Sequence, residues 1–202
     1  MFIVFEGIDG TGKTTQARML NEWLTRKGNQ TLLVREPGET VLGKKLRKII
    51  LEEDHGLCDV AELGLYLVDR AEHIDKVVKP ALEQNIIVIS DRYVDSTVAY
   101  QCYGKKIFSE AVTRRLNGMF SFNVMPDKVF VLDMDAQEAL DRVGVRGEKD
   151  NYESKDIEFF FRAQTYYRKL RTFGPRYSYL NANQEPEELH NLIKKEVQQL
   201  LL

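Results

Sequence analysis

The sequence is poor in cysteine and has no long apolar run. Its two cysteines, Cys58 and Cys102, have neither the spacing of a metal site nor that of a redox motif, so we expect both to be reduced, buried and packed as small apolar residues. Every apolar stretch falls short of the length that spans a bilayer, and the first residues lack the basic segment of a secretory signal. These absences favour a cytoplasmic protein with no membrane partner.

An excess of basic residues is also lacking. The 29 Lys and Arg residues against 31 Asp and Glu residues give a net charge of −2, so there is no electrostatic argument for a nucleic-acid partner. The three histidines, His55, His73 and His190, lie apart, and we expect them to be solvated rather than metal ligands. The length of 202 residues suits one domain, residues 1–202, with a full core.

Apolar runs alternate with helical patterns along the whole chain. Strands are predicted at 2–5, 31–35, 86–90, 128–133 and 177–180. Helices are predicted at about 13–27, 41–52, 59–84, 107–120, 135–143, 155–173 and 186–200. Because the strands are almost continuously apolar, they predict an α/β fold in which helices cover both faces of a parallel sheet. Ligands of such sheets bind at the C-terminal ends of the strands.

The segment after the first strand matches the phosphate-binding pattern GxxxxGK[ST]. This segment, called the P-loop below, consists of Gly7, Ile8, Asp9, Gly10, Thr11, Gly12, Lys13 and Thr14, with Thr15 next. Glycines let the backbone turn tightly so that its N–H groups face phosphate oxygens, and the helix that follows adds its positive end. Lys13 would reach the β- and γ-phosphates, and the Thr14 hydroxyl would hold Mg²⁺. The alternative is a turn without a ligand, but such a turn needs neither the lysine nor three glycines.

Polar residues also follow the second and third strands. Residues 35–40 (REPGET) form a turn at the sheet edge that could equally be only a solvated turn. Asp91 directly follows the third strand, where P-loop proteins place an acid that assists Mg²⁺ or its waters, and Arg92 comes next, beside the expected phosphate site. An ion pair between Asp91 and Arg92 is the structural alternative.

The long helix predicted at 59–84 carries Tyr66 and Arg70 four residues apart, on one face. An aromatic ring beside a guanidinium group could bind a flat heterocycle. Periodicity alone favours the alternative, in which Tyr66 lies in the core and Arg70 forms a surface pair with Glu72 or Asp69.

The segment 142–153 is charged and interrupted by glycine, so we expect a mobile connection. Its three basic residues could close over phosphates and supply charge in the transition state. A solvated loop is the alternative.

Together these segments resemble the thymidylate kinase family. The motifs are FEGIDGTGKTTQ (5–16), REPGET (35–40), LYLVDRAEH (65–73), DRYVDSTVAYQ (91–101) and the lid-like segment 142–153. They occur in the family's order and cover essentially the whole chain. The resemblance implies a P-loop NTPase fold of three α/β/α layers, with a five-stranded parallel sheet and a short mobile lid at about 142–155. It also implies phosphorylation of dTMP by ATP with Mg²⁺ and a homodimer.

The resemblance assigns residues position by position. The donor phosphates would lie against Gly7 to Thr15. The acceptor dTMP would contact Asp9, Arg35, Glu36, Pro37, Tyr66, Arg70, Arg92, Ser96, Thr97, Tyr100 and Gln101. Catalysis would fall to Lys13, Asp9, Arg92, Arg146 and Arg142, with Mg²⁺ held by Thr14, Asp9 and Asp91, partly through water. Tyr66 stands where the family usually has a phenylalanine that stacks on thymine, and Tyr100 would leave no room for a 2′-hydroxyl.

One position divides the family, and two others depart from its usual pattern. Some members carry an arginine within the P-loop where this chain has Gly10, and members without it place a catalytic arginine in the lid, which implies Arg146, with Arg142 as the second candidate. Glu39 replaces the second glycine of REPGGT, so that turn can differ. Asn151 replaces the arginine of the lid pattern DR-x-E, which leaves the donor-side contacts open.

The reaction needs no dedicated base, because a phosphate monoester with a second pKa of about 6 is already an anion at neutral pH. Two other functions remain open at this point. A kinase could act on another monophosphate, or on a deoxynucleoside with Glu36 as the base. A nucleotide switch or an assembly ATPase could use the P-loop only to control binding to a partner protein.

Overall fold

The computed structural model describes residues 1–52, 55–144 and 157–201. The described residues form one sheet of five parallel strands in the order β2-β3-β1-β4-β5. The strands are β1 (Phe2–Glu6), β2 (Thr31–Arg35), β3 (Ile87–Asp91), β4 (Lys128–Asp133) and β5 (Tyr177–Asn181). Every strand predicted from the sequence is confirmed to within one residue at each end.

Helices connect the strands. They are α1 (Lys13–Arg26), α2 (Val41–Arg47), α3 (Asp59–His73), α4 (Lys79–Glu83), α5 (Val94–Thr97), α6 (Glu110–Phe120), α7 (Ala136–Gly144), α8 (Ile157–Lys169) and α9 (Pro186–Leu200). Stretches of π-helix extend α2 over Lys48–Glu52, join α3 to α4 over Ile74–Val78 and extend α5 over Val98–Gly104, and a 3-10 turn (Leu170–Thr172) follows α8.

The sheet is the middle layer of a three-layer α/β/α fold. Helix α1 packs on α9 and on strands β2 and β3, whereas α3, α6, α8 and the extension of α5 pack on one another. Strands β1 and β3 are buried along their whole length, as the apolar runs predict for a sheet covered on both faces. The core therefore lies between the sheet and these two groups of helices.

The topology opens a crevice between β1 and β3. After β1 the chain crosses to β2, and after β3 it crosses to β4 on the other side of β1. Neighbouring strands whose connections leave in opposite directions create a crevice at their C-terminal ends. The P-loop follows β1 and Arg92 follows β3, so both predicted phosphate-binding segments border this crevice.

Two helix predictions need correction. The helical segment Val94–Gly104 is absent from the sequence prediction, because nearly all of its residues are buried and it therefore shows no amphipathic period. Helix α6 begins at Glu110 rather than at 107, since Ser109 caps its first turn by accepting a hydrogen bond from the Val112 N–H.

Three side-chain predictions are wrong. Cys58 is exposed at the position just before α3, whereas Cys102 is buried as expected, and both are free thiols. His73 and His190 are buried rather than solvated, His73 completely, because α3 and α9 turn these faces toward the core.

Two kinds of feature are absent from the described ranges. No helix there has both the length and the apolar character to cross a membrane. Residues 1–52, 55–144 and 157–201 also contain no group of three or more His, Cys, Asp or Glu side chains arranged to hold a metal ion. Most of the expected lid, including Arg146, lies outside the described residues.

Candidate active site

A cavity of about 580 Å³ opens at the C-terminal ends of β1 and β3. One part of its wall is the P-loop, from Asp9 to Gln16, and another is formed by residues that follow β2 and β3. All the site residues predicted within the described ranges line it, except Gly7 and Ile8, which lie behind the loop surface. Residues up to 180 positions apart in the sequence therefore meet in one cavity, since Asp9 and Leu189 share its wall.

The P-loop has the tight backbone that its glycines predict. Gly10 and Gly12 have φ angles of +86° and +89°, in the left-handed region that side chains disfavour. At Gly10 an added Cβ would lie 2.0 Å from the carbonyl oxygen of Ala139, so this glycine also allows α7 to pack against the loop. The loop and the helix that leads into the expected lid are thus in direct contact.

Lys13 is held against the P-loop backbone. Its Nζ donates to the carbonyl oxygen of Ile8 at 2.8 Å, and the Thr11 hydroxyl donates to the same oxygen at 2.8 Å. Burial lowers the pKa of Lys13 to about 8, and the nearby Arg92 guanidinium adds to the effect. An ammonium group whose charge is poorly solvated favours an anionic partner such as a phosphate.

Asp91 and Thr14 place two side-chain oxygen atoms beside Lys13. The Thr14 hydroxyl donates to Asp91 Oδ2, and Asp91 Oδ1 is buried without a hydrogen-bond partner among the described residues. A buried carboxylate oxygen that lacks a donor is a place for a cation, and carboxylate and hydroxyl oxygens are ligands that Mg²⁺ accepts. The residues present therefore fit the predicted magnesium site.

Arg92 pairs with Asp9 rather than with its neighbour Asp91. Its guanidinium contacts Asp9 Oδ1 and lies 3.2 Å from Ser96 Oγ, and the Tyr100 hydroxyl donates to Asp9 Oδ2 at 2.8 Å. Burial would raise the pKa of Asp9, but Arg92 and Lys13 lower it to about 2. The alternative ion pair between Asp91 and Arg92 is therefore absent, and Asp9 is fully charged between two cations.

The Arg70 side chain is buried and makes five hydrogen bonds. Its Nε and Nη2 donate to Glu36 Oε2 at 2.9 and 2.8 Å, and Nη2 also donates to the carbonyl oxygen of Tyr93 at 3.0 Å. Its Nη1 donates to Thr97 Oγ1 at 2.7 Å and to Asn117 Oδ1 at 2.6 Å. Since a guanidinium has five N–H groups, a base oxygen must share or replace one of these acceptors. The alternative of a surface pair with Glu72 or Asp69 is wrong.

A sequence model of the thymidylate kinase family matches residues 5–193. The chain belongs to the thymidylate kinase family. This finding confirms the resemblance inferred from the five motifs.

The relatives span the whole chain. A thymidylate kinase from Cutibacterium acnes is 39% identical, and the match covers 100% of this chain and 98% of the relative. A probable thymidylate kinase from Thermococcus kodakarensis is 38% identical, with the same two coverages. The crystal structure of thymidylate kinase from Ehrlichia chaffeensis matches with a TM-score of 0.78 and 34% identity over 100% of this chain and 98% of that one.

The sequence prediction for this thymidylate kinase family member does not include one part of the cavity wall. It comprises Arg47, Leu51, Ala182, Asn183, Gln184, Glu185, Pro186 and Leu189. The residues from 182 onward follow β5, so the rule that parallel strands bind ligands at their C-terminal ends could have found them. Arg47 donates from Nη1 to the carbonyl oxygen of Pro37 at 2.9 Å and has no motif that would single it out.

Glu6 lies beneath the P-loop, completely buried at the end of β1. Its carboxylate accepts four hydrogen bonds from neutral donors, two of them from backbone N–H groups of Tyr93 and Ser96 and two from the hydroxyls of Ser96 and Tyr167. Burial raises the pKa of Glu6 to about 7, and the Asp95 carboxylate adds to the rise. The folded protein therefore holds this proton at a pH where the unfolded chain has lost it.

The raised pKa of Glu6 predicts a pH dependence of stability. Between pH 4.5 and pH 7 the folded state binds the proton more tightly, so the free energy of unfolding falls as the pH rises through this window. A shift of this size corresponds to about 3 kcal/mol. We expect Glu6→Gln to remove this contribution, measured as a smaller loss of stability between pH 5 and pH 8 in urea titrations.

Glu110 offers a matched control for this prediction. Burial acts to raise the pKa of Glu110, but hydrogen bonds from Lys169 and Arg114 outweigh it and lower that pKa to about 2. This carboxyl is therefore ionised in both states above pH 5.5, and Glu110→Gln should shift stability by the same amount at each pH. A Glu6→Gln curve that runs parallel to the wild-type curve contradicts the assignment.

Proposed function

We propose that this chain transfers the γ-phosphoryl group of ATP to dTMP, with Mg²⁺, and so forms ADP and dTDP for the synthesis of dTTP. The observation that carries the proposal is the continuity of the cavity. The P-loop provides a phosphate site on one side, and Arg35, Tyr66, Arg70 and Arg92 line the same cavity on the other. Two nucleotides can therefore meet end to end within one enclosure.

The donor would lie along the P-loop and the β5–α9 connection. The loop N–H groups and the Lys13 ammonium would bind the β- and γ-phosphates, and the nucleoside would extend toward residues 182–186. Thr14 and Asp91 would hold Mg²⁺, which supplies charge neutralisation between donor and acceptor phosphates when bound. Arg142 at the end of α7 lines the same region and would add positive charge.

The acceptor would lie between β2, α3 and β3. Arg35 and Arg92 would hold the phosphate of dTMP, Tyr66 would stack on the base, and Thr97 with Gln101 would face its edge. Asp9 fixes the Arg92 guanidinium by the ion pair described above. The attacking phosphate oxygen is already an anion, so the chain only has to align it and stabilise charge in the transition state.

The environment of Glu36 supports a monophosphate acceptor over a nucleoside. A nucleoside kinase needs a carboxylate free to take the proton of the 5′-hydroxyl. Both oxygens of Glu36 accept hydrogen bonds, one from Arg70 and the other from His73. Burial acts to raise the pKa of Glu36, but the Arg70 charge lowers it. The base pocket itself argues against a nucleotide switch or an assembly ATPase.

The test is a substrate panel with radiolabelled ATP. We expect rapid labelling of dTMP, slower labelling of dUMP and dCMP, and none of thymidine. ATP hydrolysis without an acceptor should be weak, because closure of the expected lid would exclude water. Labelling of thymidine, or equal ATP consumption with and without dTMP, contradicts the proposal.

Arg146, which lies outside the described residues, carries a separate prediction. We expect Arg146→Ala to lower turnover about 10³-fold, because a cation would be lost from the transferring phosphoryl group. Binding of dTMP should remain nearly unchanged by calorimetry. Unchanged turnover in a coupled ADP assay removes Arg146 from this role and leaves Arg142 as the candidate.

The homodimer implied by the resemblance and the cytoplasmic location favoured by the composition stay predictions. Sedimentation of the purified chain tests the first, and fractionation of cells tests the second.

A further inference from the structure

His73 is a completely buried side chain with no part in the transfer described above. It lies at the end of α3, and its Nδ1 is 2.9 Å from Glu36 Oε1. Tyr66, Arg70 and His73 have the spacing i, i+4 and i+7, so they lie along one stripe of the helix. The stripe that borders the base pocket therefore continues into this buried histidine.

The surroundings of His73 define its protonation. An ionised carboxylate accepts hydrogen bonds and does not donate them, so the proton of this pair is on Nδ1. The other ring nitrogen, Nε2, is buried and has no hydrogen-bond partner in the described part of the chain. A proton on Nε2 would be a buried donor without an acceptor, which costs more than an unpaired lone pair. The tautomer with hydrogen on Nδ1 fits this site.

Occupation of one Glu36 oxygen by His73 restricts Arg70. A guanidinium facing a free carboxylate commonly forms two parallel bonds, one to each oxygen. Here both Nε and Nη2 of Arg70 donate to Oε2, because Oε1 is taken by His73. This orientation leaves Nη1 directed at Thr97, whose side chain lines the cavity.

A second contact from α3 fixes the loop that carries Glu36. The backbone N–H of Gly38 donates to Asp69 Oδ1 at 3.2 Å. The residues between these two attachment points include Pro37, which lines the cavity. Helix α3 thus holds the loop after β2 at both ends of the segment 36–38.

We propose that His73 is a positioning residue for the acceptor nucleotide, because its Nδ1–H holds Glu36 in the rotamer that directs Arg70 toward Thr97. The identity of that nucleotide as dTMP rests on the proposed function. His73 itself contacts neither nucleotide and acts through Glu36 and Arg70.

The test compares His73→Leu with His73→Asn in the full-length protein. Leucine fills similar space without a donor, whereas the Asn amide nitrogen can occupy the place of Nδ1 and donate to Glu36. We expect His73→Leu to raise KM for dTMP about tenfold, the usual loss when a hydrogen bond to a charged group is removed, with KM for ATP unchanged. We expect His73→Asn to stay within about threefold of wild type on both constants.

His190→Leu is the matched control. His190 is buried on α9 but does not line the cavity, so its loss should leave both KM values unchanged whatever it does to the melting temperature. The proposal is overturned if His73→Leu raises KM for both substrates alike, if it changes neither, or if asparagine and leucine behave alike.

A measurement on the wild-type protein covers the case in which a variant does not fold. Nitrogen NMR of the labelled histidine side chains should show His73 protonated on Nδ1 and bare on Nε2, with and without dTMP. The opposite tautomer overturns the proposal. This readout needs no turnover, so it is separate from the proposed function, which fails if the wild-type enzyme does not phosphorylate dTMP.

Discussion

Replacing Lys13 by methionine is expected to lower turnover of dTMP by about 10⁴-fold, within the range that a single cation contributes to phosphoryl transfer. The physical reason is that Lys13, which is only 5% exposed, presents its positive charge at the P-loop, where the β- and γ-phosphates of ATP would bind. Methionine keeps most of the length and the apolar stem. Single-turnover assays with saturating ATP and dTMP measure the loss directly, and calorimetry should find dTMP binding close to wild type.

Lys128→Met is the matched control for this prediction. Lys128 is 8% exposed and pairs with Glu196. It is the first residue of β4, so it lies at the N-terminal end of the strands, whereas the cavity lies at their C-terminal ends. Loss of its charge should change stability and leave turnover within about twofold. If Lys13→Met and Lys128→Met lose similar activity, the effect of Lys13 comes from folding and its role in transfer is rejected.

The strands and the phosphate loop are predictable because their signals are local. A strand buried on both faces, such as Phe2–Glu6, needs a continuous apolar run, and that run is visible without knowledge of its neighbours. The loop after it needs glycines and a lysine at fixed spacing, and these too lie within one short segment. Since parallel strands align their C-terminal ends, five such runs also predict where the site lies.

The helical segment Val94–Gly104 is not predictable in this way. Helix periodicity arises when one face meets solvent, and here only Ser96 and Tyr103 are not buried. The segment brings Thr97, Tyr100 and Gln101 to the cavity. The motif at 91–101 therefore predicts these site residues, whereas the hydrophobic pattern does not indicate that they lie in a helix. A fully buried helix can be recognised only from its partners.

The environment of Arg70 and His73 depends on residues far away in sequence. Glu36 is 34 residues from Arg70 and 37 from His73, and it turns two side chains that look solvated into a buried ionic network. Arg92 shows the same limit. Its neighbour Asp91 is the obvious partner in the sequence, but the chain leaves β3 at Arg92 with a left-handed φ angle of +77°, and the Arg92 side chain meets Asp9 instead.

Gly10→Ala is expected to destabilise the protein by about 3 kcal/mol, the sum of a left-handed φ angle and a clash. The added methyl group would lie 2.0 Å from the Ala139 carbonyl oxygen, which belongs to the backbone of α7 and cannot rotate away as a side chain can. Relief requires α7 to move from the P-loop, and α7 carries Arg142 and leads into the expected lid. Urea unfolding should show the loss as a lower midpoint.

Gly12→Ala separates the two causes of this loss. Gly12 has nearly the same φ angle, +89° against +86°, but nothing lies within 4 Å of the position its Cβ would take. We expect it to lose about 1 kcal/mol, which is the conformational part alone. The difference between the two variants then measures the contact between loop and helix, because backbone strain is common to both. Equal losses of stability in the two variants would mean that α7 can shift away from the loop without measurable cost. The close packing at Gly10 would then contribute nothing to the coupling between the phosphate loop and α7.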